Sequence, residues 1–489
     1  MAEESIKENI NNKALKAGSW YIISNLILKG IAVITTPIFT RLLTPSEFGI
    51  VNTYISWMGI LTVVGTLDLY ASIQLARHHF EESQIDAFIS SILSLSSSFL
   101  IGIYIIVKLL GTTAISFIEI PAKLIDIMFL EVLFANAFTM LQAKHRAFFR
   151  YKKFVLLTGI IAVLSPVLSI ILVSLQDSEL YYWKIVGNAV PMVVISAFIF
   201  VLILRQGKCI YKKEYWKYAL VFSLPLIPHH LSGNLLNSFD RIMINKYAGP
   251  ADTGLYSLAY SYSLFLSIVW SSMNRAWAPW FYGKMKEDNI ADIRKYVKPY
   301  IAIFSIVYAI MLLVGPEALK FFGPEEYWES KWVVPPVLSG LFMQFIYSLY
   351  VNIEFYRKKT KYIAIGTLTA AVVNIVLNYL LIPVYGYIIA AYTTLVGFFI
   401  LFIMHYFISK KWESRDLFDN KFVFIGTASI MAVTALAIFI YDSFLLRYGL
   451  LTGILLAIVL SYRRQIILLY RNIKGRKKGP EKFDNGNLL

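Results

Sequence analysis

Cysteine is almost absent from this chain: Cys209 stands alone among 489 residues. A single thiol makes no intrachain disulfide and no thiolate metal cage, so neither a disulfide scaffold nor a Cys-based zinc site fits. Charge is scarce too. Asp, Glu, Lys and Arg supply 16% of the residues and 58% are hydrophobic, whereas soluble domains carry about 25% charged residues. The shortage falls on acids, 30 against 46 basic residues, for a formal charge of +16. His78, His79, His145, His229 and His405 show no metal-ligand spacing and read as interfacial or structural. No nucleophile-base pairing, metal cluster or phosphate-cradling glycine loop is legible, so an enzyme is not expected and no metal or cofactor is implied.

Long apolar runs fill the space that charge leaves. Ile31 to Phe39, Ser90 to Val107, Phe154 to Leu175 and Ile425 to Tyr441 approach or reach the roughly 20 residues that cross a bilayer, and the mean hydropathy is +0.62. The chain reads as an all-α, multi-pass membrane protein. The polar stretch Met1 to Lys16 leads straight into an apolar run with no cleavable secretory signal, so the first helix is expected to be retained. Spans are predicted at Gly18 to Thr40, Gly49 to Tyr70, Phe88 to Leu110, Leu124 to Leu141, Phe154 to Leu175, Trp183 to Leu204 and Tyr218 to Ile244. A second set follows at Gly254 to Phe281, Tyr300 to Leu319, Val333 to Ile353, Tyr362 to Ile382, Gly386 to Phe407, Phe422 to Tyr441 and Ser443 to Ser461, making about fourteen.

Alternate connections are basic: Lys144 to Lys153, Arg205 to Lys217, Lys284 to Lys298, Arg357 to Lys361, Lys410 to Lys421, and the tail from Arg463. Lys and Arg near span ends stay in the cytoplasm, which predicts a protein of the cytoplasmic membrane with both termini cytoplasmic. The cations then face anionic membrane lipid, and nucleic-acid binding is not implied. Pro45-Ser46-Glu47-Phe48-Gly49-Ile50 recurs as Pro250-Ala251-Asp252-Thr253-Gly254-Leu255 at an offset of 205 residues, and Phe149-Arg150 as Tyr356-Arg357 at 207. Two matches at nearly one offset indicate a parallel repeat of six spans. The expected organisation is an N-terminal lobe (1–204), a cytoplasmic linker (205–217), a C-terminal lobe (218–408), two further helices (409–462) and a basic tail (463–489). Two pseudo-symmetric lobes enclose a central site and rock about it.

Polar residues inside spans point to that site, because charge in hydrocarbon is costly and normally faces protein or a water-filled cavity. Asn25, Lys29 and Thr36 share one face of the first span. His230, Asn234, Asn237, Arg241 and Asn245 recur at helical spacing in the seventh. Tyr256, Tyr260, Ser263, Ser267, Ser271 and Arg275 do so in the eighth. The expected cavity therefore has Lys29, Arg241 and Arg275 for anionic oxygens and Tyr256 and Tyr260 for sugar faces. The same stripes would also serve as hydrogen bonds between static helices. Asp68, Glu131 and Asp240 are candidates for coupling to a proton or sodium gradient. A local Asp240 to Arg241 ion pair and an Asp68 position near Arg77 are the competing readings. Pro225 and Pro228 predict a bend in the seventh span.

Three segments carry a resemblance to a family. Gly18-Ser19-Trp20 through Pro37 to Arg41-Leu42-Leu43-Thr44-Pro45-Ser46-Glu47-Phe48-Gly49, then Asn237-Ser238-Phe239-Asp240-Arg241 to Gly254-Leu255-Tyr256, and Phe322-Gly323-Pro324-Glu325-Glu326-Tyr327 resemble the polysaccharide biosynthesis transporters. These are Wzx-like flippases of the multidrug/oligosaccharidyl-lipid/polysaccharide exporter superfamily. The resemblance implies a twelve-helix core with two extra helices. It implies transfer of an undecaprenyl-diphosphate-linked oligosaccharide to the outer leaflet for O-antigen, capsule or exopolysaccharide assembly, with a polymerase and a chain-length regulator as partners. Lys29 and Arg275 stand where lipid II flippases of the superfamily place cavity cations, although Lys in the first helix departs from that pattern. A lipid II flippase or a multidrug exporter is the alternative, the latter fitting a cationic cavity poorly.

Overall fold

The structure is a computed structural model that describes residues 30, 31 and 33–461. Every regular element among them is helical. In chain order these are α1 (33–42), α2 (Pro45–Gly65), α3 (Ile73–His79), α4 (Ile85–Leu110), α5 (Thr112–Ile118), α6 (Ala122–Ala147), α7 (Tyr151–Ser174), α8 (Leu180–Gly207) and α9 (Lys213–Ser223). The second half holds α10 (Ile227–Tyr247), α11 (Pro250–Lys286), α12 (Ile290–Phe322), α13 (Val334–Tyr356), α14 (Thr360–Tyr385), α15 (Ile389–Trp412), α16 (Asn420–Phe439) and α17 (Phe444–Ser461). Most of the predicted first span and the whole tail from Arg463 lie outside the described residues.

Among the described residues ten helices are long and apolar enough to cross a membrane, and the protein is a multi-pass membrane protein. The predicted seventh and eighth spans, α10 and α11, are missing from those ten. Both are long enough, at 21 and 37 residues, but their polar stripes dilute the hydrophobicity. A helix of such composition tolerates the bilayer only where neighbours or an aqueous cavity cover its polar face. The seventh span is also broken. Pro225 lies in the 3-10 turn Leu224–Leu226, which separates α9 from α10, as expected where a ring removes a backbone donor. The segment before the break packs on the N-terminal half: Tyr215 and Ala219 join a core with Phe80, Phe88 and Ile92, and the Trp216 indole donates to the Ser91 carbonyl at 3.0 Å.

The basic connections converge on one end of the bundle. There Lys144 pairs with Asp86 and Arg357 with Glu413, while Lys298 meets Asp419 at 3.0 Å. The opposite end is fastened by Lys123 to Glu179, Lys331 to Asp442 at 2.7 Å and the Leu180 amide to Glu47 at 2.9 Å. Helices α16 and α17 lie against α12, where buried Arg447 grips Glu317 through two bonds of 2.6 and 2.7 Å.

The repeated Pro-x-x-x-Gly segments prove to be a contact between the halves. Thr44 caps α2 with Glu47 in a reciprocal box, and Pro45 occupies the first turn. Gly249, at φ +102°, turns the chain into Pro250 at the start of α11. The two helix starts then cross backbone to backbone. A Cβ on Gly49 would lie 1.7 Å from the Pro250 carbonyl oxygen, and one on Gly254 would lie 2.0 Å from that of Pro45. Only glycine permits this approach.

Candidate functional site

Between the halves, toward the basic end, lies a cavity of about 580 Å³, within the ~300–1,000 Å³ usual for small-molecule sites. Its walls come from α2, α10, α11, α13, α14 and α15. Helix α10 supplies His230, Asn234 and Asn237, three positions of the predicted stripe, and α11 supplies Trp270 and Asn274. Gln344, Tyr347 and Asn352 of α13 face them. Amides and aromatic rings are knitted together: Asn352 donates to Asn274 at 3.1 Å, Tyr282 to Asn352 at 3.2 Å and the Trp270 indole to Ser348 at 3.2 Å. Rings with one polar edge beside two-faced amides suit a hydroxyl-rich ligand.

Both ends of this space are bridged. At the basic end Asp68, in the left-handed region at φ 52°, is 2% exposed and pairs with His230 across the halves. Asn234 donates to the Gly59 carbonyl at 3.2 Å beside it. Arg77, the neighbour expected for Asp68, instead donates to the Ala147 carbonyl and rests on Phe148. At the other end Thr40 reaches the Phe322 carbonyl, Arg41 the Phe321 carbonyl at 2.9 Å and the Tyr327 hydroxyl the Leu43 carbonyl at 3.0 Å. Asn245 closes the stripe by donating to the Glu119 carbonyl at 3.0 Å.

Several expected lining residues stand elsewhere. Tyr256 and Tyr260, expected to offer sugar faces, are buried in the C-terminal half. Their rings stack at 6.0 Å, and the Tyr256 hydroxyl donates to Asp240 at 2.7 Å. Arg241 is buried as well, with its guanidinium 4.4 Å from the Tyr260 ring centre and bonded to the Asn237 carbonyl at 3.1 Å. Arg275 is exposed and Asn274 takes the cavity position. The cause is helical drift. From Tyr256 to Asn274 is 18 residues, five whole turns at about 3.6 residues per turn, and one more residue rotates Arg275 by about 100°. Ser267 is half-buried on α11. Asn25 and Lys29 lie outside the described residues.

Asp240 is fully buried and bonds outside its own helix rather than to Arg241. Besides Tyr256 it accepts from Asn378 and Thr394, both at 2.6 Å, and Asn374 is adjacent to both. A buried carboxylate survives only with such saturation. Sequence reading missed Asn374 and Asn378, whose spacing of four in the predicted eleventh span was the available signal. In the N-terminal half a second cavity of about 370 Å³ is lined by Thr36, Asn52, Glu131, Lys184 and Asn188. Glu131 accepts from the Tyr54 hydroxyl at 2.8 Å, and the Lys184 ammonium sits 4.2 Å from the Phe39 ring centre. Lys184 went unnoticed because a lone Lys near a span start reads as an interfacial anchor.

A two-lobed helical bundle with a polar seam and a central cavity defines a transporter fold. In solved structures the same fold occurs in the lipid II flippase MurJ in an inward closed conformation (TM-score 0.67, 15% identity, 91% of this chain and 99% of that one). It also occurs in an inward-facing multidrug resistance MATE family transporter of the MOP superfamily (TM-score 0.57, 13% identity, 78% and 93%). The family described as Polysaccharide biosynthesis protein matches residues 14–283, more than half of the chain, and this protein belongs to it. A protein of the Lsg locus of Haemophilus influenzae is 23% identical over 365 residues, 72% of this chain and 87% of that protein. A membrane protein from the same organism is 23% identical over 209 residues, 41% and 52%.

Proposed function

We propose that this protein is a flippase that carries an undecaprenyl-diphosphate-linked oligosaccharide from the cytoplasmic to the outer leaflet, for O-antigen, capsule or exopolysaccharide assembly. The observation that carries this reading is the inter-lobe cavity lined by Asn234, Asn237, Asn274, Asn352, Gln344, Trp270 and Tyr347. It suits the sugar hydroxyls of such a cargo, and the lipid chain stays in the bilayer. Lys29 is the proposed partner of the diphosphate, with Arg275 beside the cavity wall.

Alternating access follows from the seam along α10. Its inner part, His230 to Asn237, lines the cavity, while its outer part, Arg241 and Asn245, is sealed against neighbours. Parting of Gly49 from Gly254 uncovers that outer part, including Arg241 and Tyr260. The cargo then meets a cation on the outward path. Asp68, Glu131 and Asp240 are the proposed positions through which a proton or sodium gradient acts, Asp240 being buried among donors and Glu131 facing the second cavity. The proposed setting is the bacterial inner membrane, with both termini and the basic end cytoplasmic, anionic lipid around the basic loops, and a polymerase and chain-length regulator as recipients of the cargo.

The test is a strain deleted for the gene, scored for surface polysaccharide and for the leaflet in which the lipid-linked repeat unit accumulates. Complementing copies carry the wild-type chain, Asn274→Ala or Lys29→Ala. Accumulation on the cytoplasmic leaflet, rescued by the wild type and reduced at least tenfold in rescue by each variant, is expected, about the effect of losing 1.4 kcal/mol of binding. Unchanged surface polysaccharide in the deletion refutes the cargo. If peptidoglycan precursor accumulates instead, the lipid II reading takes its place.

A further inference from the structure

The C-terminal lobe buries a second titratable pair that the cavity and its bridges do not use. Glu354 of α13 and His405 of α15 are both 0% exposed, and His405 Nδ1 lies 2.7 Å from Glu354 Oε1. The other two polar atoms of the pair, Glu354 Oε2 and His405 Nε2, have no hydrogen-bond partner among the described residues. A structural bond between two helices would leave fewer loose ends, because an unpartnered buried polar atom costs about 1–3 kcal/mol.

The pair lies directly behind the cavity wall. The Tyr347 ring, which lines the cavity, stacks on the imidazole at 5.6 Å. Val351 and Phe355 flank Glu354 along α13, Leu401 lies one turn before His405, and all three face the cavity. From α14, between the cavity residues Ile363 and Thr367, Gly366 meets the ring: a Cβ there would lie 2.8 Å from Nε2. The unpartnered nitrogen is thus aimed at the one α14 position without a side chain.

We propose that Glu354 and His405 form a proton-binding site that couples proton exchange to opening of the cavity. With one added proton, as an imidazolium against a carboxylate, the pair carries no net charge into the lobe interior, whereas without it one charge is left uncompensated there. When water reaches the site, the Nε2–H bond breaks, the proton passes to a water molecule to give hydronium, and the bonding electrons stay on the ring. Nδ1–H continues to donate to Glu354, and the pair is left with one negative charge. That charge is stable only while hydrated, so proton release and the open state favour each other. Reprotonation from the other side permits closure.

Other charged and titratable groups are accounted for element by element. Along α13, Tyr347 stacks on the ring, and Arg357, three residues past Glu354, is engaged by Glu413. On α15 the next titratable side chain, Tyr406, packs on Tyr350 and Phe424. Helix α14 meets the ring through Gly366 and carries Tyr362 one turn earlier, packed on Trp412; α10 presents His229 and His230 to the same cavity, the latter held by Asp68, and Tyr70 lines it from the N-terminal half.

The proton site rests on the transporter reading but is tested without cargo. The full chain, with Cys209→Ser, Asp177→Cys and Glu325→Cys, is spin-labelled in lipid nanodiscs, and the distance across the non-basic end is measured between pH 5.5 and 8. One linked proton changes the open-to-closed ratio by up to about tenfold per pH unit. The pH response is expected in the wild-type background, and it is expected to vanish in Glu354→Gln and in His405→Gln. Glu354→Leu with His405→Phe, an apolar replacement that keeps the packing, controls for loss of fold and should also be flat. A response that persists in both single variants, or one that is absent from the wild-type background, overturns the proposal. Surface polysaccharide unchanged by gene deletion, with the pH-linked distance shift intact, refutes the cargo and leaves the proton site standing.

Discussion

Replacing Gly254 by alanine should wedge apart the two helix starts that seal the non-basic end. The added carbon would lie 2.0 Å from the Pro45 carbonyl oxygen and 2.8 Å from its carbon, where carbon-oxygen contacts normally stand at about 3.3–3.6 Å. The obstacle is backbone. The Thr44 cap and Pro45 hold it on one side, so no rotamer change relieves the clash and the helices must separate by more than about 1 Å. Overpacking of this kind costs about 1–3 kcal/mol, and the cost falls only on the state in which the two segments touch. It therefore appears as a shift of about 5- to 150-fold away from the closed arrangement, with little effect on unfolding. Spin labels at Asp177→Cys and Glu325→Cys should report a longer mean distance, and Gly49→Ala, whose Cβ would lie 1.7 Å from the Pro250 oxygen, should do the same. Gly283→Ala on the same helix has nothing within 4 Å and serves as the comparator. If Gly254→Ala and Gly283→Ala give the same distance distribution and the same surface polysaccharide, the proposed seal is wrong.

Two other outcomes follow from the ion pairs. Glu413, in the connection between α15 and α16, is held down to about 2 by its bond to Arg415 at 2.7 Å and by Arg357. A depressed carboxylate contributes stability that is complete above its unfolded value near pH ~4.3 and is lost as pH falls toward 2. Glu413→Gln should therefore lower the melting temperature of the purified protein at pH 7 and narrow its gap to the wild type progressively below pH ~4; a gap independent of pH would refute this. Arg447→Met leaves Glu317 without its partner at the α12 contact and should cost about 1.5–3 kcal/mol, read as a fall in melting temperature, whereas Arg447→Met with Glu317→Leu should recover most of it. Equal losses in the single and double variants would sink that reasoning.

Sequence alone determined that the protein is an all-helical, multi-pass membrane protein, because apolar run length answers directly to bilayer thickness. It made the half-to-half repeat visible, because Pro45 and Gly49 recur as Pro250 and Gly254 at one offset, although the contact between the halves that demands the two glycines is tertiary. It also located the seam on α10, since His230, Asn234 and Asn237 at helical spacing share one face whatever packs against it. It could not tell which stretch of a long stripe meets a cavity and which meets another helix. Tyr256 and Arg241 went inside, and Asn274 took the place expected of Arg275, because small angular drift accumulates along α11 and only packing decides which arc faces empty space. Tertiary structure alone brought Asp240 to Asn378 and Thr394, Asp68 to His230, and Glu354 to His405. Each of these contacts joins residues from separate elements, and a single sequence carries periodicity within an element but not the distance between two of them.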